Sequence, residues 1–293
     1  MLSNKARAIS SSPTLAIDAK FKQMKANGED VVGFGCGEPD FDTPQYIKDA
    51  AIAAINSGKT KYTPAAGTLE LRKAVAEKFK RENGLDYEPT DIVISNGAKH
   101  SLMNALTAIL NPGDEVIIPA PFWVSYPELI KLADGIPVII NTKEENEFKA
   151  KAEDLRRALT PKTKAIILNS PSNPTGMVYT KEELKEIADF AVENNLYVVS
   201  DEIYEHLIYE GEHISIASFN DKIKALTIVI NGVSKTYAMT GWRIGYAAAA
   251  PEIAKIMSNV QSHASSNPNS IAQAATVAAL NGGDEEIERM RRH

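Results

Sequence analysis

Three observations predict an α/β fold, a three-layer αβα sandwich around a mostly parallel sheet. Six short apolar runs rich in Val and Ile recur along the chain, amphipathic stretches of helical length separate them, and the most unusual polar residues fall just after the runs. Continuous apolar strands suit a sheet covered on both faces, and helical crossovers suit parallel neighbours.

In order, the predicted strands are "DIVIS" (91–95), "EVIIP" (115–119), "IPVII" (136–140), "KAIILN" (164–169), "LYVVS" (196–200) and "LTIVI" (226–230). Helical patterns lie at "LELRKAVAEKFKREN" (69–83), "KHSLMNALTAIL" (99–110) and "KEELKEIADFAVENN" (181–195). The Gly- and Pro-rich break "GFGCGEPDFDTP" (33–44) separates an N-terminal segment from the first helix and divides the chain into residues 1–42 and 43–293. At the other end "GGDEEIERMRRH" reads as a helix start with Asp284 as N-cap, and the sequence stops about two turns later without a C-cap signal, as a cut end would.

Composition excludes several classes. A chain of 293 residues can bury roughly three quarters of its unfolded surface, in about two domains. The net charge of -6 is scattered and not gathered into a stripe, so a nucleic-acid partner is not expected, and the lack of a long apolar run excludes a spanning helix. Cys36 is the single cysteine, which rules out an internal disulfide and suits a reducing compartment, with cytoplasm expected. The start carries Asp18 and lacks the apolar core of a secretory signal.

Ligands of open α/β sheets bind outside the carboxyl ends of the strands. Four strands place polar loops there: "NGAKHS" after "DIVIS", "SPSNPTG" after "KAIILN", "DEIY" after "LYVVS", and "NGVSK" after "LTIVI". Each has an ordinary reading. "NGAKHS" is a glycine turn opening a helix, whose N–H groups either bind phosphate or simply start the helix. Asp201 either caps a helix or faces a cation, Asn173 either belongs to a plain turn or points its amide into the cleft, and Arg243, between Gly241 and Gly245, is either a surface residue or a fork for phosphate. Together, a strand-end lysine (Lys235), an acid, an arginine and a phosphate turn suit one chemistry. A lysine amine condenses with the aldehyde of pyridoxal phosphate, whose ring nitrogen wants a carboxylate and whose phosphate wants N–H groups and an arginine. On this reading Lys235 ends a strand because it reaches a buried cofactor.

The motif "GVSKTYAMTGWRIG" (232–245) resembles the lysine signature of class I, fold type I, pyridoxal phosphate-dependent aminotransferases, and "NSPSNPTG", "SDEIYEHL", "GEPDFDTP", "TKYTPAAG" and "PAPFWVSYPE" resemble segments of their bacterial aspartate aminotransferase branch. Six motifs in order, from about Ser12 to the end, carry the resemblance. It implies that Lys235 forms the Schiff base and shuttles the substrate's α-proton, that Asp201 holds the pyridine nitrogen, and that Tyr204 and Asn173 bond the phenolic oxygen. Trp123 would stack on the ring, Gly97, Ala98 and Lys99 would offer backbone N–H groups to the phosphate, Arg243 would pair with it, and Gly37 would line the substrate carboxylate site. Tyr62 would reach the phosphate of a neighbouring subunit, implying a homodimer with shared sites.

The expected reaction is amino transfer between aspartate or glutamate and 2-oxoglutarate or oxaloacetate, with Lys99 and Thr14 as candidate readers of the distal carboxylate. Aromatic amino acids, alanine and prephenate are the alternative substrates, and a catalytically incomplete fragment that only binds pyridoxal phosphate is the alternative function. Two departures stand out: relatives carry serine where this chain has Gly232, with Ser234 as the nearest substitute, and the arginine that clamps the α-carboxylate belongs to a C-terminal domain beyond residue 293. The resemblance makes residues 1–42 an arm plus part of a small domain, and 43–293 the cofactor-binding domain.

Rival readings fail on context. "GFGCGE" (33–38) is followed by "PDFDTP" where a dinucleotide loop needs a helix, "GVSKT" is not a nucleophile elbow, and the five histidines form no H-E-x-x-H zinc motif. A non-catalytic cofactor-binding regulator would need a DNA-reading helix pair that the sequence does not show. Without a partner domain, "LAIDAKFKQM" is expected to expose apolar surface, so a chain extended beyond residue 293 should give higher soluble yield and a higher melting temperature; equal values for the two would refute this.

Overall fold

The computed structural model describes residues 2–35 and 37–292, so Cys36 at the centre of "GFGCGE" lies outside the described residues. Seven strands form one sheet: β1 (Ile92–Ser95), β2 (Glu115–Ala120), β3 (Ile136–Asn141), β4 (Thr163–Asn169), β5 (Tyr197–Asp201), β6 (Thr227–Gly232) and β7 (Gly245–Ala248), in the order β1-β7-β6-β5-β4-β2-β3. Around it lie α1 (Asn4–Arg7), α2 (Pro13–Ala26), α3 (Gln45–Asn56), α4 (Leu69–Asn83), α5 (Ala98–Ile109), α6 (Ser125–Leu132), α7 (Ala152–Ala158), α8 (Lys181–Glu193), α9 (Asp221–Leu226), α10 (Pro251–Ala264), α11 (Ser270–Asn281) and α12 (Asp284–Arg292).

The helices start and stop where side chains satisfy their free backbone groups. Thr68 accepts from Leu71 N–H at the start of α4, and Gly84 ends it in the left-handed region at φ 66°. Thr180 and Glu183 form a reciprocal capping box on α8. Alternate strand residues then feed opposite layers. Ile228 and Ile230 pack with Leu102, Ile130 and Met257 of α5, α6 and α10, while Val229 between them joins Phe79 and Ala275 of α4 and α11 on the other face. On that second face Ile166 and Leu168 meet Leu184 and Ile187 of α8.

Four sequence expectations need correction. β7 does not stand out in the sequence, because "GYAA" is short and alanine-rich; its place between β1 and β6, antiparallel to both, makes it a strand. β3 is not covered on both faces, since it is the sheet edge and Ile139 is 49% exposed. Asp284 is the first residue inside α12 and not its N-cap, since Gly283 before it, at φ 92°, turns the chain into the helix. Lys235 does not end a strand: β6 stops at Gly232, and the lysine rides on a turn closed by Tyr237 N–H to Val233 O at 3.2 Å.

Residues before the first break lie outside the layers. Neither α1 nor α2 contains a buried residue, and Leu15 and Ile17 are exposed, as the sequence suggests. The segment is tied to α6 and its end by Ser10 N–H donating to Glu128 at 3.0 Å and by a Lys5–Asp134 ion pair at 2.9 Å.

β7 runs so close to the start of α5 that a Cβ on Gly245 would overlap the backbone of Gly97 and Ala98. Backbone cannot step aside cheaply, so Gly245→Ala should lower stability by about 1–3 kcal/mol, read as a lower urea midpoint at unchanged m-value.

Candidate active site

β4, β5 and β6 are parallel, and β1 runs with β6 because both are antiparallel to β7. The carboxyl ends of these four strands therefore open on one edge, where the sequence places its polar loops. Lys235 is half-buried there. Its Nζ donates to Gly37 O, across 198 residues of chain, and lies 5.7 Å from the centroid of the Tyr204 ring. Asn173 Nδ2 donates to Tyr204 Oη at 3.4 Å, so three of the predicted residues, from the loops after β4, β5 and β6, share one place.

Asp201 is the last residue of β5 and is almost fully buried. Its carboxylate accepts from Tyr126 Oη at 2.8 Å and from Ile203 N–H at 3.3 Å, and neither donor is charged. Burial outweighs both bonds and pushes the carboxyl up from its ordinary 3.8 to about 6. It does not cap a helix. Burial, followed by the charge of Asp201, raises the Tyr126 phenol far above its usual range, so it is a fixed donor.

Trp123 packs edge-on against Tyr126, with ring centroids 5.4 Å apart, and Lys99 Nζ sits 4.7 Å from the Trp123 centroid. Partial burial, then the neighbouring Arg243, lowers the Lys99 pKa. Arg243 Nη1 donates to Thr240 O at 2.9 Å and Nη2 to Asn96 O at 3.4 Å, which lays the guanidinium over the turn that opens α5. Gly97 is a glycine for two reasons: its φ is 85°, and a Cβ there would overlap Arg243 Nη2. Its own N–H goes to Ser95 O at 2.8 Å, which leaves Ala98 and Lys99 as the first N–H groups at the helix start.

The remaining predicted residues fall elsewhere or meet a constraint. Tyr62 is 92% exposed, and the Thr14 hydroxyl shares a hydrogen bond with Ser12 on α2. At Gly232 a Cβ would stand 3.0 Å from both Gly245 Cα and Ile244 O, so a larger residue there would press on the neighbouring strand β7. Ser234 is buried in the turn that carries Lys235. Two residues escape sequence reasoning. Tyr126 is hidden as one aromatic among several in "PFWVSYPE", and Asn169 reads as a strand end although it bonds Asp201 O at 2.9 Å and accepts from Asn173 N–H at 2.7 Å.

Comparison with known proteins shows the family. The family model for aminotransferase class I and II matches residues 29–293. This chain belongs to that family. A Bacillus sp. (strain YM-2) relative named aspartate aminotransferase is 56% identical over the whole chain, which spans 75% of the relative's length. A Nitrosomonas europaea relative named aspartate/prephenate aminotransferase is 50% identical over 96% of the chain and 71% of its own length. Among solved structures, Thermus thermophilus aspartate aminotransferase with maleate superposes with a TM-score of 0.96 at 48% identity, over all of this chain and 76% of that one.

Class I and II aminotransferases work with pyridoxal 5'-phosphate. The site fits it. A protonated ring nitrogen is the partner that would keep the buried Asp201 carboxylate charged, and the cradle between Gly97, Arg243 and the start of α5 offers donors to a phosphate.

Without cofactor, Asp201 makes stability depend on pH. A carboxyl raised from 3.8 to about 6 contributes fully below pH 4 and loses its contribution as pH rises through about 6, on the order of 3 kcal/mol. Asp201→Asn does not titrate. Its stability advantage over the cofactor-free wild type should therefore appear between pH 4 and 6 and level off above, whereas cofactor-saturated protein should show no such advantage. Chemical denaturation across pH measures both.

Proposed function

We propose that this chain moves the amino group of L-aspartate to 2-oxoglutarate, giving oxaloacetate and L-glutamate. The reading is carried by one observation: Lys235, Tyr204 and Asn173 meet at the sheet edge where β5 ends in the buried Asp201. The substrate choice is supported by the names of the Bacillus and Thermus relatives.

Bound pyridoxal phosphate supplies an aldehyde for amine condensation and a ring that accepts the electron pair left when the α-proton departs. The chain's residues do the rest. Lys235 Nζ would anchor the cofactor through its amine and, when free, would hold and move the substrate's α-proton. Asp201, held by Tyr126, keeps the ring nitrogen protonated. Tyr204 and Asn173 would donate to the phenolic oxygen, and Trp123 would pack beside the ring. The Ala98 and Lys99 N–H groups, with Gly97 shaping the turn and Arg243 beside it, hold the phosphate, while Gly37 and Asn173 border the substrate carboxylate.

The same reading makes residues 1–42 an arm with part of a smaller domain and residues 43–293 the cofactor-binding domain. It places the enzyme in the cytoplasm, as the single cysteine suggests. It also makes the enzyme a homodimer, supported by the exposure of Tyr62, which would serve the partner's phosphate. Among the described residues, no helix is long and apolar enough to cross a membrane. The Nitrosomonas relative favours prephenate as a second amino acceptor.

Absorbance of the purified chain with pyridoxal phosphate tests the proposal. A visible band that depends on Lys235, absent in Lys235→Ala, and that L-aspartate bleaches is the expected result; prephenate restoring the band after aspartate would support the second acceptor. A Lys235-dependent band indifferent to aspartate would reduce the chain to a cofactor binder, and no band would refute the site.

A further inference from the structure

Asp201 and Tyr204 face the cleft, but the two carboxylates interleaved with them, Glu202 and Glu205, turn the other way into a buried polar cluster that the proposed reaction does not use. Glu202 accepts from Ser200 Oγ at 2.8 Å and Ser215 Oγ at 2.7 Å and meets His213 Nε2 at 3.0 Å. Glu205 is ion-paired with Lys78 of α4, and it accepts from Asn83 Nδ2 at 2.8 Å and from Asn231 Nδ2 of β6 at 2.7 Å. Lys78 is 2% exposed, donates to Asn83 Oδ1 at 2.7 Å and lies 3.4 Å from Glu82, so its ammonium is paired with both Glu82 and Glu205.

Such a pair is a poor source of stability, because desolvating two charges costs about what their attraction gives. Its geometry suggests another use. Asn231 binds Glu205 through its amide nitrogen and the next residue's N–H, that of Gly232, through its amide oxygen at 2.7 Å. Glu205 follows Tyr204 directly, and Gly232 ends β6 three residues before Lys235. The Glu205 carboxylate thus joins the turn that carries Tyr204 to the strand end that leads to Lys235.

We propose that Lys78, Glu205 and Asn231 form a positioning clamp that fixes the Tyr204 hydroxyl relative to Lys235 Nζ, with Lys78 present to keep the Glu205 carboxylate charged. Lys78 and Glu205 are both buried, and neither is among the residues of the proposed cofactor site. The inference rests on the cofactor site proposed above. Burial alone would raise the Glu205 carboxyl, yet Lys78 first, then His206 and His213, bring it down to about 2, so the clamp stays charged at any working pH.

Three variants separate positioning from packing. Lys78→Met strands a buried carboxylate and should lower the melting temperature. Lys78→Met combined with Glu205→Leu replaces the pair with apolar groups of similar size and should regain part of that loss, the Asn83 and Asn231 amides still lacking their acceptor. Glu205→Gln keeps shape and a hydrogen-bonding amide without the charge. The readouts are the affinity for pyridoxal phosphate, the pH midpoint of the visible band and kcat. The wild-type band is recorded first, since its absence would refute the cofactor site and not the clamp. If the clamp positions Tyr204, the double variant, though stable, should bind cofactor about tenfold more weakly, the scale of one charge-assisted hydrogen bond, with the band midpoint moved upward and kcat lowered. A double variant with wild-type stability, affinity, midpoint and kcat would overturn the proposal. Should it fail to fold, a Glu205→Gln protein with the wild-type midpoint and kcat would overturn it equally.

Discussion

Burying the Asp201 carboxyl at the end of β5 costs free energy, and neutral donors offset only part of it: with Tyr126 and Ile203 both bonded, the group still titrates near 6. Much of the surrounding structure follows from keeping that acid in place. Tyr126 must stand on the first turn of α6, packed against the sheet by Leu129 and Ile130, for its hydroxyl to reach across. Asn169 must hold the Asp201 carbonyl so that the loop after β4 and the end of β5 stay in register. A cationic partner is what such an acid stabilises best, and in the proposed site the protonated ring nitrogen would be that partner.

The sheet topology makes that arrangement possible. Inserting β7 antiparallel between β1 and β6 lets β1 run parallel to β6 while standing next to neither β5 nor β4. The start of α5 then comes down beside β7, close enough that Gly245 and Gly97 leave no room for side chains. Arg243, just before β7, lies over the same turn. The proposed phosphate cradle joins segments about 145 residues apart because Gly245 lets the backbones of β7 and the α5 turn touch and Gly97 leaves room for the Arg243 guanidinium.

Six of the seven strands, the helices α4, α5 and α8 and the residues Lys235, Asp201, Tyr204, Asn173 and Arg243 were legible because each leaves a local mark: an apolar run, a helical period, or a polar residue at or shortly after a strand's end. β7 left none, since four small residues owe their conformation to neighbours. Tyr126 was illegible for a different reason: a buried tyrosine and a surface one look alike until a partner 75 residues away is known. The clamp was the least visible. Lys78 sits in "LELRKAVAEKFKREN", where a lysine on an amphipathic helix reads as a solvated cation, and its partners Glu205 and Asn231 are more than a hundred residues further on.

The tether of the N-terminal segment reaches further than its exposed position suggests. Ser10 grips Glu128, and Lys5 grips Asp134, at the end of the helix whose first turn presents Tyr126. A protease that trims the first ten residues would therefore remove both ties to the helix that carries Tyr126.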